Sequence, residues 1–223
     1  SGYLVPKSRW MISAWVAVLV VMICGVVSGT GFSFTRSGEI IYQLSEAGWL
    51  GQWQGEIILR ADGLGMGMAL IGSGLSFFIL LWAIGYYRDN QSDKPERFFE
   101  NSLLILSASY GVFLAGHLIL FCIFWGFLII PFYLLLVYGK EAGNEPAKKA
   151  LIILGGTDSL LLMGIALIWQ IGGSFRIDSL KISSDSAWSV IAYLLIISGG
   201  LAKAGGIPFH SWVPEVSEKG SNP

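Results

Sequence analysis

The sequence predicts an all-α integral membrane protein of about six transmembrane helices. The last helix is broken, and a short β-hairpin is expected in the outer loop 29–63. Three observations carry this reading. Of 223 residues, 54% are hydrophobic and 13% charged, with a mean hydropathy of +0.65. That is too little charge to cover a soluble domain of this length. Six apolar stretches are long enough for a helix across a ~30 Å hydrocarbon core, which takes roughly 20 residues. Trp and Tyr gather at their ends, at Trp10, Trp82, Tyr86, Tyr87, Tyr138, Trp169, Trp188 and Trp212, as in the aromatic belts of membrane proteins.

The elements follow in order. The first span, near 10–28, comes after Lys7 and Arg9 as a signal peptide would. Its length and the five spans behind it make it a true span. In loop 29–63 the stretch "GQWQGEIILRADG" (51–63) alternates polar and apolar residues, the pattern of a hairpin strand. The second span, 64–87, leads into "RDNQSDKPERFFE" (88–100), a solvated connector. Residues 101–138 form a single run of 38 residues, too long for one crossing. It divides at Gly116-His117 into spans 101–117 and 118–138. Loop 139–149, "GKEAGNEPAKK", holds Pro146 and resembles a helix start before the fifth span, 150–170. The sixth span, 187–206, extends to 213 if the helix resumes after its break. The whole, 1–223, reads as a single transmembrane domain.

Six crossings put the N-terminus, loops 88–100 and 139–149 and the C-terminal tail on one side, with nine Lys and Arg residues. The other side has four: Arg36, Arg60, Arg176 and Lys181. The positive-inside rule places both termini in the cytoplasm. A net charge of −1 offers no basic field for nucleic acid. Cys24 and Cys122 lie in separate apolar runs and make no CxxC pair, so neither a disulfide framework nor an iron–sulfur site is expected. His117 and His210 are too few for a di-haem bundle. No phosphate-binding loop, catalytic triad or metal-ligand cluster is visible, and no cofactor is expected in this chain. The glycine pairs 155–156, 172–173 and 199–200 read as helix-packing or turn glycines.

Only two charges fall inside the spans, Asp158 and Lys203. Such a group costs on the order of 2.5–3.5 kcal/mol at the bilayer centre by insertion scales, and marks ion paths often enough that function is the first hypothesis. Lys203 stands in "GGLAKAGGIPFHSWVPE" (199–215). Gly205 and Gly206 weaken the helix, and Pro208 has no N–H for the carbonyl of Ala204. Phe209, Trp212 and Val213 then resume the apolar character. Lys203 is either a snorkelling side chain reaching the headgroups or a titratable group beside freed carbonyls, able to hold water and a proton. Asp158, in "LGGTDSLLLMG", is eight residues into its span, about 12 Å deep at 1.5 Å per residue. It either joins Thr157 and Ser159 in a polar packing cluster or pairs with Lys203 at a similar depth. His210 is an interfacial histidine or a group that takes up or releases protons. His117, at the outer turn, reads as a loop cap.

Several of these stretches resemble one family. "KAGGIPFHSWVPE" (203–215) is similar to the signature of the antiporter-like membrane subunits of respiratory complex I, membrane-bound hydrogenases, formate hydrogenlyases and Mrp antiporters. That pattern is a lysine, four residues, then Pro-Phe-His-x-Trp-Leu-Pro-Asp. Here Val213 replaces the leucine and Glu215 the aspartate. "ADGLG" (61–65), "AIGYY" (83–87) and "LILFCIFWGFLIIPFYLLL" (118–136) also match. The resemblance implies that Lys203 is the broken-helix lysine that relays protons, with Asp158 and His210 as further relay candidates and Gly205, Gly206 and Pro208 forming the break. It implies a proton-translocating component of a complex I-like quinone oxidoreductase or hydrogenase-type complex. The alternatives are a component of an Mrp-type Na+/H+ antiporter and a non-pumping scaffold. Partners would be other membrane subunits, which would hold the redox cofactors, in a bacterial or archaeal membrane. The family commonly carries a glutamate after the tryptophan matching Trp125, whereas this chain has Gly126. Members have about fourteen helices in two inverted repeats. Against that length the chain reads as a fragment, or as one product of a split gene, starting at the family's second helix.

Overall fold

The computed structural model describes residues 7–35, 38–45, 57–89, 95–137, 145–182 and 186–219. The elements are α1 (Lys7–Thr35), β1 (Ile40–Ser45), β2 (Ile57–Ala61), α2 (Gly63–Asp89), α3 (Pro95–Phe113), α4 (Leu118–Phe127), α5 (Ile129–Val137), α6 (Glu145–Gly172), α7 (Ala187–Lys203) and α8 (Trp212–Lys219). Four helical stretches are long and apolar enough to cross a bilayer: Trp10–Thr35, Gly63–Asp89, Leu118–Val137 and Glu145–Gly172. α7 is apolar but short. α3 begins at Pro95, six residues ahead of the expected span, because proline suits a first helical turn. It thereby takes in Glu96, Arg97 and Glu100, so the described parts of the connector read as 88–100, residues 88–89 and 95–100, are helical. Tyr138, Lys140, Arg36 and Lys94, which entered the belt and charge readings, lie outside the described residues, as do most of loop 139–149 and positions 51–56 of the alternating stretch.

α1 runs seven residues past the expected end of its span. There Thr30 and Ser33 donate to the carbonyls of Val27 and Gly29, satisfying their hydroxyls within the helix. Gly31 faces the flexible end of the Met66 side chain on α2. α1, α2 and α3 share a core built from Ala14, Ala17, Val18 and Val21 of α1, Leu80 and Ala83 of α2, and Phe99 and Leu106 of α3. At its upper end the Tyr110 hydroxyl lies 2.5 Å from Ser28 Oγ on α1 and 2.6 Å from Ser73 Oγ on α2. One phenol thus ties three helices. Tyr110→Phe is expected to lower stability in micelles by about 0.6–1.7 kcal/mol, the range for interhelical hydrogen bonds in membranes. Each serine keeps its own bond to the carbonyl four residues back, which holds the loss there. An unchanged unfolding midpoint would refute the tie.

The connections above this bundle form an extended layer. β1 and β2 pair antiparallel, Ile40 opposite Ala61 and Ile41 opposite Arg60. Residues 114–117, between α3 and α4, lie along β2: Arg60 N donates to Leu114 O at 2.8 Å and Gly116 N to Ile58 O at 2.9 Å. Their other edge meets the segment after α6, with Leu118 N donating to Phe175 O at 2.8 Å and Ile177 N to Gly116 O at 3.1 Å. Gly116 has no room for a side chain, since a Cβ would lie 2.7 Å from Ile58 Cγ2. Buried His117 is the N-cap of α4, its Nδ1 accepting from Ile119 N at 3.3 Å. The layer therefore ties the ends of three helix pairs. Beyond it, Arg176 holds Asp178 in a two-point ion pair, which keeps that exposed carboxyl below its ordinary range.

Candidate functional site

The second half of the chain brings two interrupted helices together. The first interruption is at Leu128, between α4 and α5. Pro131, in the first turn of α5, has no N–H to give the carbonyl of Phe127. α4 therefore ends at Phe127, and its last carbonyls must find partners outside their own helix. Leu128 N serves Phe124 O, and the Trp125 carbonyl turns elsewhere.

The second interruption follows Lys203, the last residue of α7. Gly205 adopts φ +69°, which favours glycine. Its N–H donates to Ala202 O at 3.1 Å, and Gly206 N donates to Leu201 O at 2.7 Å. These paired bonds are a Schellman stop. The Trp212 indole, at the head of α8, donates to Ala202 O at 3.1 Å. The glycines and Trp212 satisfy the carbonyls of Leu201 and Ala202, and Lys203 finds its acceptor on α4.

That acceptor is Trp125 O, 2.6 Å from Lys203 Nζ. The same ammonium lies 3.3 Å from Asp158 Oδ2 and 4.2 Å from the centre of the Trp125 ring. The other carboxylate oxygen, Asp158 Oδ1, accepts from Trp125 Nε1 at 2.7 Å. Both charged side chains are mostly buried, with 16% and 14% of their surface exposed. Asp158 lies 13 residues from the start of α6 and 14 from its end, near the middle of that helix. α6 begins at Glu145, five residues ahead of the expected span. On its other side Lys203 borders a cavity of about 160 Å³, lined mainly by Ile105, Leu128, Ile129, Phe132 and Leu154.

α6 holds both sides of the broken helix. Besides Asp158 to Lys203, it carries Lys149, whose ammonium pairs with Glu215 of α8. Gly205, Gly206 and Pro208 all stand in the turn between α7 and α8. His210 is in that turn too, exposed, and is not among the groups that meet at Lys203. Gly126 is one residue beyond the tryptophan, with open space around the position of a Cβ. Trp125 and Lys149 were not singled out from the sequence. The available signal for Trp125 was Pro131 six residues on, which predicts a helix end and therefore an unpartnered carbonyl nearby.

Residues 115–223 match the family model described as NADH:quinone oxidoreductase/Mrp antiporter, TM. Among curated relatives, a probable K(+)/H(+) antiporter component of Rhizobium meliloti (strain 1021) is 27% identical over 94% of this chain and 21% of its own length. The NAD(P)H-quinone oxidoreductase chain 4 1 of Synechococcus sp. (strain JA-2-3B'a(2-13)) is 28% identical over 99% of this chain and 42% of its own. A chain of the Mrp complex from Dietzia sp. DQ12-45-1b superimposes with a TM-score of 0.76 at 19% identity, covering 96% of this chain and 40% of that one. The chain therefore spans between about a fifth and two fifths of the proteins it is compared with here. Its membrane-crossing helices and these matches make it an integral membrane protein. Over residues 115–223, just under half of its length, the chain thus matches the NADH:quinone oxidoreductase/Mrp antiporter transmembrane family model.

Proposed function

We propose that this chain carries the proton-relaying broken helix of an ion-translocating membrane subunit, in a complex I-like quinone oxidoreductase or a hydrogenase-type redox complex. The carrying observation is the Lys203–Asp158 pair at 3.3 Å, held between two helix interruptions. Lys203 takes and gives the proton, Asp158 is the counter-charge it leaves and rejoins, and the cavity beside Lys203 gives the ammonium room to move away. His210, exposed in the break, exchanges protons with the aqueous side. Redox cofactors belong to neighbouring subunits. Both termini face the cytoplasm of a bacterial or archaeal cell, the side with more Lys and Arg.

A second reading, an Mrp-type antiporter subunit moving H+ against Na+ or another monovalent cation, is favoured by the names of the antiporter relatives and by the 0.76 superposition. A non-pumping scaffold has Gly126 in its favour, but the mid-helix Asp158 supplies a carboxylate by another route.

Lys203→Ala in the assembled complex, reconstituted in vesicles, is expected to reduce proton translocation by roughly 100-fold, the scale of losing a positioned proton-transfer group. Unchanged translocation would eliminate the relay. Translocation that needs a quinone reductant supports the redox complex. Translocation driven by a sodium or potassium gradient alone supports the antiporter.

A further inference from the structure

The two charges of the pair do not hold each other alone. Lys203 Nζ stands closer to Trp125 O, at 2.6 Å, than to Asp158 Oδ2, at 3.3 Å. Asp158 in turn gives one oxygen to Lys203 and the other to the Trp125 indole N–H. The indole face covers the ammonium at 4.2 Å, within cation–π reach. Trp125 is itself fixed, stacked on Phe121 at 5.4 Å between ring centres.

We propose that Trp125 is a positioning residue of the relay, gripping Asp158 by its indole N–H and Lys203 by its carbonyl and ring. This rests on the relay reading above. The chemistry gives the grip a direction. The indole N–H holds one oxygen of Asp158 by a charge-assisted hydrogen bond that does not depend on the proton of Lys203. The carbonyl stabilises an ammonium but offers nothing to a neutral amine beyond an ordinary hydrogen bond. The contact with the tryptophan therefore weakens when the lysine gives up its proton, while the indole–carboxylate bond does not. Asp158 remains in place as the fixed charge, and Lys203 is the mobile member.

The local sequence explains why one residue can do this. The carbonyl is available because α4 stops at Phe127, and the indole reaches α6 because Trp125 lies on the face of α4 turned towards it. Among the described residues, Cys122 on α4 is a further titratable group close enough to feel the Asp158 charge. Lys149 of α6 and Glu215 of α8 are paired with each other about 13 Å along α6 from Asp158.

The test uses the assembled complex in vesicles, comparing Trp125→Phe with Lys203→Ala and with Trp188→Phe, an exposed control. Trp125→Phe keeps a ring and the carbonyl but removes the N–H. The carboxylate then loses one of its two hydrogen-bonding partners, and the acid limb of the translocation pH profile is expected to move up by about one unit. In an Asp158→Asn background the same substitution is expected to move nothing. If Lys203→Ala leaves translocation intact, the relay itself fails. If Lys203→Ala stops translocation while Trp125→Phe leaves the profile in place, or shifts it equally in the Asp158→Asn background, only the positioning role falls. Trp125→Leu, which also removes the N–H and keeps the carbonyl, supplies the same measurement if the phenylalanine variant does not assemble, and failure of both to assemble would overturn the role as merely structural.

Discussion

Asp158→Ala is expected to destabilise the assembled protein by about 3–5 kcal/mol, and Lys203→Ala/Asp158→Ala by less than Asp158→Ala alone. Removing one partner of a buried ion pair leaves an uncompensated charge, whereas removing both leaves only a packing defect. Here the side chains are 16% and 14% exposed, so neither orphan is rescued by bulk water. The two single variants should also differ. Lys203 without Asp158 keeps Trp125 O and the indole face. Asp158 without Lys203 keeps one indole donor for one of its two oxygens, on a short side chain fixed at mid-helix. Lys203→Ala is therefore the more damaging to stability. Chemical unfolding of the purified complex in detergent checks this. Effects that simply add in the double variant would show that the two charges are not energetically coupled.

This prediction depends on a pairing that was partly legible in the sequence. Two charges in six apolar spans are an arithmetic invitation to pair, and the run Gly205-Gly206-Ile207-Pro208 announces the interruption after Lys203. The sequence also suggested that His117 caps its loop, because a lone histidine between two apolar runs has few other uses. Trp125 was not legible, because half of its contribution is a backbone carbonyl, and a carbonyl's availability depends on where a helix stops. Lys149 and Glu215 are 66 residues apart in the chain, and nothing local to either marks the other. The start of α3 was missed because a solvated composition outweighed Pro95 as a helix start. α6 likewise begins five residues ahead of the expected span, because the first turn of a helix favours acidic groups such as Glu145, which in the sequence look like loop.

Glycine pairs show the same limit more sharply. Gly199 and Gly200 are indistinguishable by pattern, and their substitutions are expected to have opposite results. A Cβ on Gly199 would lie 2.8 Å from Leu161 Cβ and 3.3 Å from Thr157 O, both close to the α6 backbone and unable to rotate away. A Cβ on Gly200 would meet nothing within 4 Å. Gly199→Ala must push α7 away from α6, at the cost of about 1–3 kcal/mol typical of overpacking. The displacement falls where the site is least tolerant. Thr157 adjoins Asp158, and Lys203 is one turn beyond Gly199 on the same face of α7. A shift of a few tenths of an ångström would stretch a 3.3 Å ion pair and a 2.6 Å hydrogen bond together. Translocation should accordingly fall about tenfold or more in Gly199→Ala, since misplacement of reacting groups by 1 Å can cost 100-fold. Gly200→Ala should translocate normally and be up to about 1 kcal/mol more stable, because alanine is the better helix former. Equal behaviour of the two variants would mean that α6 and α7 do not meet at this face, and the geometry argued for Lys203 and Asp158 would fall with it.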